Sequence, residues 1–335
     1  MIKPRNSQAA RLLQIAVVGI LSLCRPLSTQ AQTADSYPAR PIKVIVGIGA
    51  GSNTDALGRL AASFLSKQLN QAVVVENRPG AGGTIAAEAV ATAAPDGYTI
   101  LWASSSIPMF PHMYSNLKFD PIKDLVGVGG VAEGGLVILT RPDAPWKTLA
   151  EMIQYGKGKP AGAISYASAG IGSNAYLFSE IFAQTVGLEF LHVPYKGSSA
   201  ALADIVSGQV DFVFDGPSTA IPQVDSGRVR ALAFSTKNRS SFMPNTPTLN
   251  EAGATGFGQR TWLAFFAPAG TPSAVTKKLS DSIGAFVPTL AFRKELGGLA
   301  HEPMPMTGEA LTSMIKEEAV QWGVTLKSLK LQPSK

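Results

Sequence analysis

The stretch from Val73 to Leu101, VVVENRPGAGGTIAAEAVATAAPDGYTIL, constrains the fold more than any other part of this 335-residue chain. Val73, Val74 and Val75 form a β-branched run suited to a strand. The turn Asn77-Arg78-Pro79-Gly80-Ala81-Gly82-Gly83 combines a proline that fixes φ with glycines that accept positive φ. Small helix formers follow from Thr84 to Ala94, then the stop signal Pro95-Asp96-Gly97 and a second apolar run, Tyr98 to Ala103. Strand, turn, helix, turn and strand in that order are a βαβ unit.

The same order appears on both sides of it. Ile42 to Val46 reads as a strand feeding Gly47-Ile48-Gly49-Ala50-Gly51-Ser52-Asn53-Thr54, and a helix follows from Asp55 to Asn70 with apolar residues at helical spacing. After the breaker Arg141 to Pro145, Ile164 to Ala167 reads as a strand, Ala169 to Asn174 as a glycine turn, and Ala175 to Thr185 as a helix. Further strands are expected at Phe190 to Val193, Val210 to Phe214, Val229 to Phe234 and Trp262 to Pro268, and helices at Ser199 to Ser207, Ser273 to Phe286 and Gly308 to Leu326. This alternation predicts an α/β protein with mostly parallel sheets flanked by helices.

The first residues carry Lys3, Arg5 and Arg11, then an apolar run from Leu12 to Cys24, then a polar tract ending in small residues at Ala31. That layout predicts a secretory leader over residues 1–31, cleaved near Ala31, whose apolar run is too short to span a bilayer. Stable membrane insertion is therefore not expected. The leader holds four basic residues and no acid, so the formal charge of +6 falls by four to +2 in the remainder. No basic stripe with interleaved aromatics remains, and nucleic acid is not expected as a partner. The single cysteine, Cys24, lies in the leader between Leu23 and Arg25, a poor context for lipidation, and the remainder has no thiol chemistry. About 300 residues suit two domains rather than one core.

Two glycine turns, each after a strand and before a helix, offer free backbone N–H groups and a helix dipole to an anion such as a carboxylate or phosphate. The candidates are Ile48, Gly49, Ala50, Gly51, Ser52, Asn53 and Thr54 in the first turn, and Ala169, Gly170, Ile171, Gly172, Ser173 and Asn174 in the second. Ser104 and Ser105 follow a strand, at the end where open α/β sheets bind ligands. The string Gly47-Ile48-Gly49-Ala50-Gly51-Ser52 also approaches a dinucleotide fingerprint with Glu76 ending the next strand, which would make the chain an NAD-dependent oxidoreductase. Ser52 stands where that fingerprint has its third glycine. His112, His192 and His301 are isolated, without metal-ligand spacing, and no nucleophile elbow is present, so neither metal, cofactor nor catalysis is expected.

The strings NRPGAGG (77–83), APDGYTIL (94–101), HVPYKG (192–197) and GQVD (208–211) with Asp215 resemble signatures of the Bug-type extracytoplasmic receptors of tripartite tricarboxylate transporters. The resemblance runs from about Tyr37 to the end. It implies a two-lobed, type II periplasmic binding protein of the Venus-flytrap kind, with one lobe from 37–139 plus 258–335 and the other from 140–257. It further implies a periplasmic monomer that closes on a small organic carboxylate and delivers it to membrane permease subunits; a ligand sensor for a signalling partner would look the same in sequence. Tyr195 becomes a candidate cleft residue. Asp215 either accepts a hydrogen bond from a ligand amine or hydroxyl, caps the next segment, or faces water. The chain departs from the family where Gly47, Ile48 and Gly49 replace a proline-aromatic-x-proline turn, where Ser52 replaces glycine, and where Tyr176 replaces histidine.

Overall fold

A computed structural model describes residues 37–329 together with Leu331 and Pro333; the expected leader, with Cys24 and the cleavage point, lies outside the described residues. The described residues from Pro38 onward form one compact unit built on two sheets. The first contains β1 (Ile42–Val46), β2 (Val73–Asn77), β3 (Thr99–Ser104), β4 (Leu125–Gly134), β10 (Thr261–Pro268) and β11 (Glu302–Thr307), in the order β11-β4-β10-β3-β1-β2. The second contains β5 (Val137–Thr140), β6 (Ser165–Ser168), β7 (Leu191–Pro194), β8 (Phe212–Asp215) and β9 (Arg230–Phe234), in the order β7-β6-β8-β5-β9.

The helices are α1 (Asn53–Leu69), α2 (Thr84–Ala91), the single turn α3 (Phe110–Met113), α4 (Leu149–Lys157), α5 (Asn174–Val186), α6 (Ser198–Ser207), α7 (Pro217–Asp225), α8 (Ser273–Phe286), α9 (Leu290–Gly298) and α10 (Gly308–Ser328). The expectation of mostly parallel sheets holds only where strand and helix alternate. β1 pairs in parallel with β2 and β3, and β6 with β7 and β8, whereas β4, β5, β9, β10 and β11 enter antiparallel pairs. The reason is the path of the chain: β4 runs out of the first sheet into β5 of the second, and β10 brings it back.

Glycines make β4 possible. A Cβ on Gly129 would stand 3.0 Å from Ile283 of α8, and one on Gly130 would stand 2.6 Å from Met304, so helix and strand press directly onto its backbone. The first core joins Ile45, Leu101, Phe110, Trp262, Phe266, Leu311 and Ile315; the second joins Ile138, Trp146, Tyr166, Phe178, Phe182, Phe212 and Phe214. α10 serves both, placing Ile315 in the first and Leu326 in the second.

The two crossing segments are stitched together by Ser235, which is fully buried. Its N–H donates to Leu136 O at 2.8 Å and its hydroxyl donates to Gln259 O at 2.9 Å. The same hydroxyl oxygen accepts from Leu136 N at 2.9 Å, and Ser235 O accepts from Gln259 N at 2.7 Å. Residues 134–136 and 259–261 are thus tied side by side where the chain crosses between the sheets, the place of a hinge.

Candidate functional site

Both glycine turns open helices that face each other across the gap between the sheets. Ser52 caps α1, its hydroxyl accepting from Asp55 N at 3.3 Å, and Ser173 caps α5, accepting from Tyr176 N at 3.2 Å. The backbone is extended at each cap, Asn53 and Thr54 begin α1, Asn174 and Ala175 begin α5, and the first N–H groups of a helix have no acceptor within it. All four residues line a single cavity of about 80 Å³.

The first turn is held by Asp55, whose side chain is almost fully buried. Its Oδ2 accepts from Gly51 N at 2.9 Å and from Arg59 Nε at 3.0 Å, and its Oδ1 accepts from Asn77 Nδ2 at 2.8 Å. Asn77 also donates to Ile48 O at 3.0 Å, so the NRPGAGG string fixes the loop opposite it. Burial alone would raise the Asp55 pKa, but the Arg59, Gly51 and Asn77 donors outweigh it and hold the carboxyl below its ordinary value. The helix cap is therefore Ser52, and Asp55 is the organiser of the turn.

The lobes touch through backbone and glycine. Gly49 N donates to Lys196 O at 3.0 Å. Gly82, at φ 62°, lies against Ile171 O, where a Cβ would come within 2.1 Å. Tyr114 donates to Ala81 O at 2.7 Å in its own lobe and its hydroxyl reaches Ile171 O across the gap. Two asparagines in equivalent positions complete the closure: Asn53 Oδ1 accepts from Ser218 Oγ at 2.6 Å, and Asn174 Oδ1 accepts from Ser105 Oγ at 3.3 Å.

Of the sequence candidates, Ile48, Ser52, Asn53, Thr54, Ser104, Ala169, Asn174 and Asp215 line the cavity. The rest stand around it in other roles. Gly49 joins the lobes, while Gly51 donates to Asp55 and Gly170 accepts from Ser173. Ile171 and Gly172 meet Tyr114, and Ser105 meets Asn174. Ala50 lies exposed in the first turn. Tyr195 is drawn away from the cavity, its hydroxyl donating to Asp204 Oδ2 at 2.6 Å.

Asp215 is 3% exposed; its Oδ1 accepts from Gly216 N at 2.8 Å and its Oδ2 from Thr219 Oγ1 at 2.6 Å, so it serves the start of α7 while facing the cavity. Leu136, Ser168, Ala175, Val213, Phe214 and Gly216 also line the cavity without having been expected. Ser168 is legible only in three dimensions: its hydroxyl accepts from Gly170 N at 3.0 Å and lies 2.7 Å from His192 Nε2. Burial holds His192 down to about 4, so its ring is neutral and shares a hydrogen bond with the Ser168 hydroxyl.

Among the described residues, Asp215 is the only charged side chain on the cavity wall. A larger groove of about 770 Å³ lies beside the hinge, between Lys237, Arg260, Trp262, Glu318 and Trp322. Its charges are largely spent on neighbours, Arg260 on Glu133 at 2.7 Å and Glu318 on Trp262 Nε1 at 3.1 Å. The small cavity, where two helix starts meet, is the better match to an anion. Among the described residues no helix is long and apolar enough to cross a membrane, and no group of three His, Cys, Asp or Glu is placed to hold a metal.

The glycines of the fingerprint-like string have other work here. A Cβ on Gly47 would stand 2.7 Å from Gly83 Cα, and one on Gly49 would stand 3.0 Å from Lys196 O. They allow backbone contact within and between lobes.

Comparison with known proteins shows the family and the fold. The model of the "Tripartite tricarboxylate transporter family receptor" matches residues 57–331. A UPF0065 protein of Bordetella pertussis is 35% identical over 323 residues, 96% of this chain and 98% of that protein. The structure of the periplasmic binding protein BugD is similar at TM-score 0.84 and 34% identity, covering 89% of this chain and 100% of that one. MatC from Rhodopseudomonas palustris with bound malate is similar at TM-score 0.81 and 31% identity, covering 86% of this chain and 99% of that one. The chain belongs to the receptor family of tripartite tricarboxylate transporters, as a two-lobed, Bug-type solute-binding protein.

Proposed function

We propose that this chain is exported to the periplasm, captures a small organic carboxylate between its lobes and passes it to the membrane permease of a tripartite transporter. The observation that carries the reading is the meeting of Asn53 and Thr54 with Asn174 and Ala175, the first residues of two helices from opposite lobes, on one cavity with no cationic side chain among the described residues that line it. Each helix start offers aligned donors worth roughly 1 kcal/mol apiece to an anion, and they are brought together only when the lobes close. Similarity to a malate-bound relative supports the same class of ligand.

The cavity limits size. A cavity of about 80 Å³ is small, which favours short aliphatic acids over aromatic or tricarboxylic ones. Asp215 adds a selectivity element, repelling a second carboxylate at its end of the cavity and accepting a hydrogen bond from a ligand hydroxyl or amine.

The test is a thermal-shift screen of the leaderless chain against dicarboxylates, hydroxy acids, acidic amino acids, tricarboxylates and aromatic acids. Stabilisation by short aliphatic acids is expected. Stabilisation by sugars or NAD alone contradicts the reading.

A further inference from the structure

α7 begins without a cap of its own. Its N-cap residue is Gly216, which has no side chain, and Pro217 at the first helical position has no N–H. The next N–H, on Ser218, donates instead to Asn53 Oδ1 of the opposite lobe at 3.3 Å, and the Ser218 hydroxyl donates to the same oxygen at 2.6 Å. Asn53 takes the place a capping side chain would have occupied: a Cβ on Gly216 would stand 2.0 Å from Asn53 Cγ.

A side-chain amide can cap only with its oxygen, and what faces its nitrogen decides which end points where. The Asn53 nitrogen faces His301 Nε2 at 3.5 Å, the long end of the hydrogen-bonding range. His301 is 2% exposed, and its Nδ1 lies 2.8 Å from Leu299 O, a carbonyl that can only accept. Nδ1 therefore carries the proton and Nε2 presents a lone pair. A lone pair at that point accepts the Asn53 N–H and turns the amide oxygen toward Ser218. The ring also packs on the hinge, since a Cβ on Gly134 would stand 3.0 Å from His301 Cδ2.

We propose that Asn53 caps α7 across the cleft only when the lobes are closed, and that His301 is the positioning residue that orients the Asn53 amide for this. The inference rests on the closing-cleft reading above but not on the identity of the ligand. Closure then completes a helix of the second lobe, so the closed form gains a cap that the open form lacks. Because Asn53 also lines the ligand cavity, His301 acts on ligand capture without touching the ligand.

The experiment uses the leaderless chain, which has no cysteine of its own, with spin labels at Ser273→Cys and Lys157→Cys, one exposed site on each lobe. Distances between the labels are measured by pulsed electron resonance with and without L-malate as probe. A cap of about 1 kcal/mol corresponds to a closed-to-open ratio about fivefold lower in Asn53→Ala, Ser218→Ala and His301→Leu. His301→Gln, whose amide oxygen can stand where Nε2 does, should restore most of the closed population. His301→Leu should add nothing in the Asn53→Ala background.

Additive effects of His301→Leu and Asn53→Ala would overturn the proposal, as would a wild-type closed population in His301→Leu, a failure of His301→Gln to restore it, or a wild-type chain open in both conditions. If the coupling holds without malate while no acid of the screen binds, the latch stands and the ligand assignment falls.

Discussion

Asn53 lies so close over Gly216 that a methyl group added to the glycine would stand 2.0 Å from the Asn53 amide carbon. The two residues lie on opposite sides of the cleft, Asn53 at the start of α1 and Gly216 at the start of α7, so opening the cleft would separate them. Gly216 has φ −76° and ψ 150°, a conformation open to any residue, so its lack of a side chain answers to the neighbour and not to the backbone.

Gly216→Ala should accordingly fold normally and close poorly. Overpacking at about 1–3 kcal/mol, imposed on the closed form alone, weakens ligand binding by roughly 5- to 150-fold while the melting temperature without ligand stays near wild type. Calorimetric titration beside thermal melts of the unliganded protein checks this. An equal loss in both would show that the glycine serves folding.

Asp55→Ala removes the acceptor shared by Gly51, Asn77 and Arg59 and should destabilise the fold by about 2–3 kcal/mol, more than a lost cap alone. Denaturant unfolding measures it. Since the Asp55 pKa is depressed in the folded chain, its contribution is present above the ordinary value of 3.8 and is lost as pH falls through the folded value.

Burial pushes His301 down from 6.5 to about 4, which gives the opposite residue type the same sign. The unfolded chain binds the proton first on acidification, so stability is complete above pH 6.5 and declines as pH falls toward 4. The share of His301 is on the order of 3 kcal/mol at the acid end of that window. His192, also held near 4 by burial, adds in the same direction. His301→Gln should flatten part of this slope between pH 6.5 and 4 in urea titrations; an unchanged slope would place the buried proton balance elsewhere.

Asp215 separates two effects. Asp215→Ala should cost about 1–2 kcal/mol of stability, because Gly216 N and Thr219 Oγ1 lose their acceptor. Asp215→Asn keeps the shape and removes the charge, so binding of plain dicarboxylates should tighten and binding of amine-bearing acids should weaken. Titration of both variants with succinate and aspartate distinguishes these outcomes, and identical shifts for the two acids would remove Asp215 from recognition.

How far the sequence carried the fold can be seen in β4 and β1. Ile42–Val46 is a β-branched run between turns and is legible as a strand, whereas Leu125–Gly134 is thick with glycine and its strand exists because Ile283, Leu311 and Met304 need the space. Short-range signals also located the two helix starts, since a serine cap and a glycine turn act within a few residues. They could not locate Ser168, whose partner His192 arrives on the neighbouring strand β7, or Ser218 and Tyr114, whose partners come from the other lobe. Tyr195 shows the converse: its string was legible, but Asp204 nine residues later decides where its hydroxyl goes.

The central claim is that the cleft closes on a short organic acid held between the starts of α1 and α5. Small-angle scattering of the leaderless chain, alone and at saturating concentrations of an acid that stabilises it in the thermal screen, tests this most directly. A smaller radius of gyration is expected with the acid, and less compaction in Gly216→Ala at the same concentration. Binding without compaction in the parent, or equal compaction in both proteins, would contradict it.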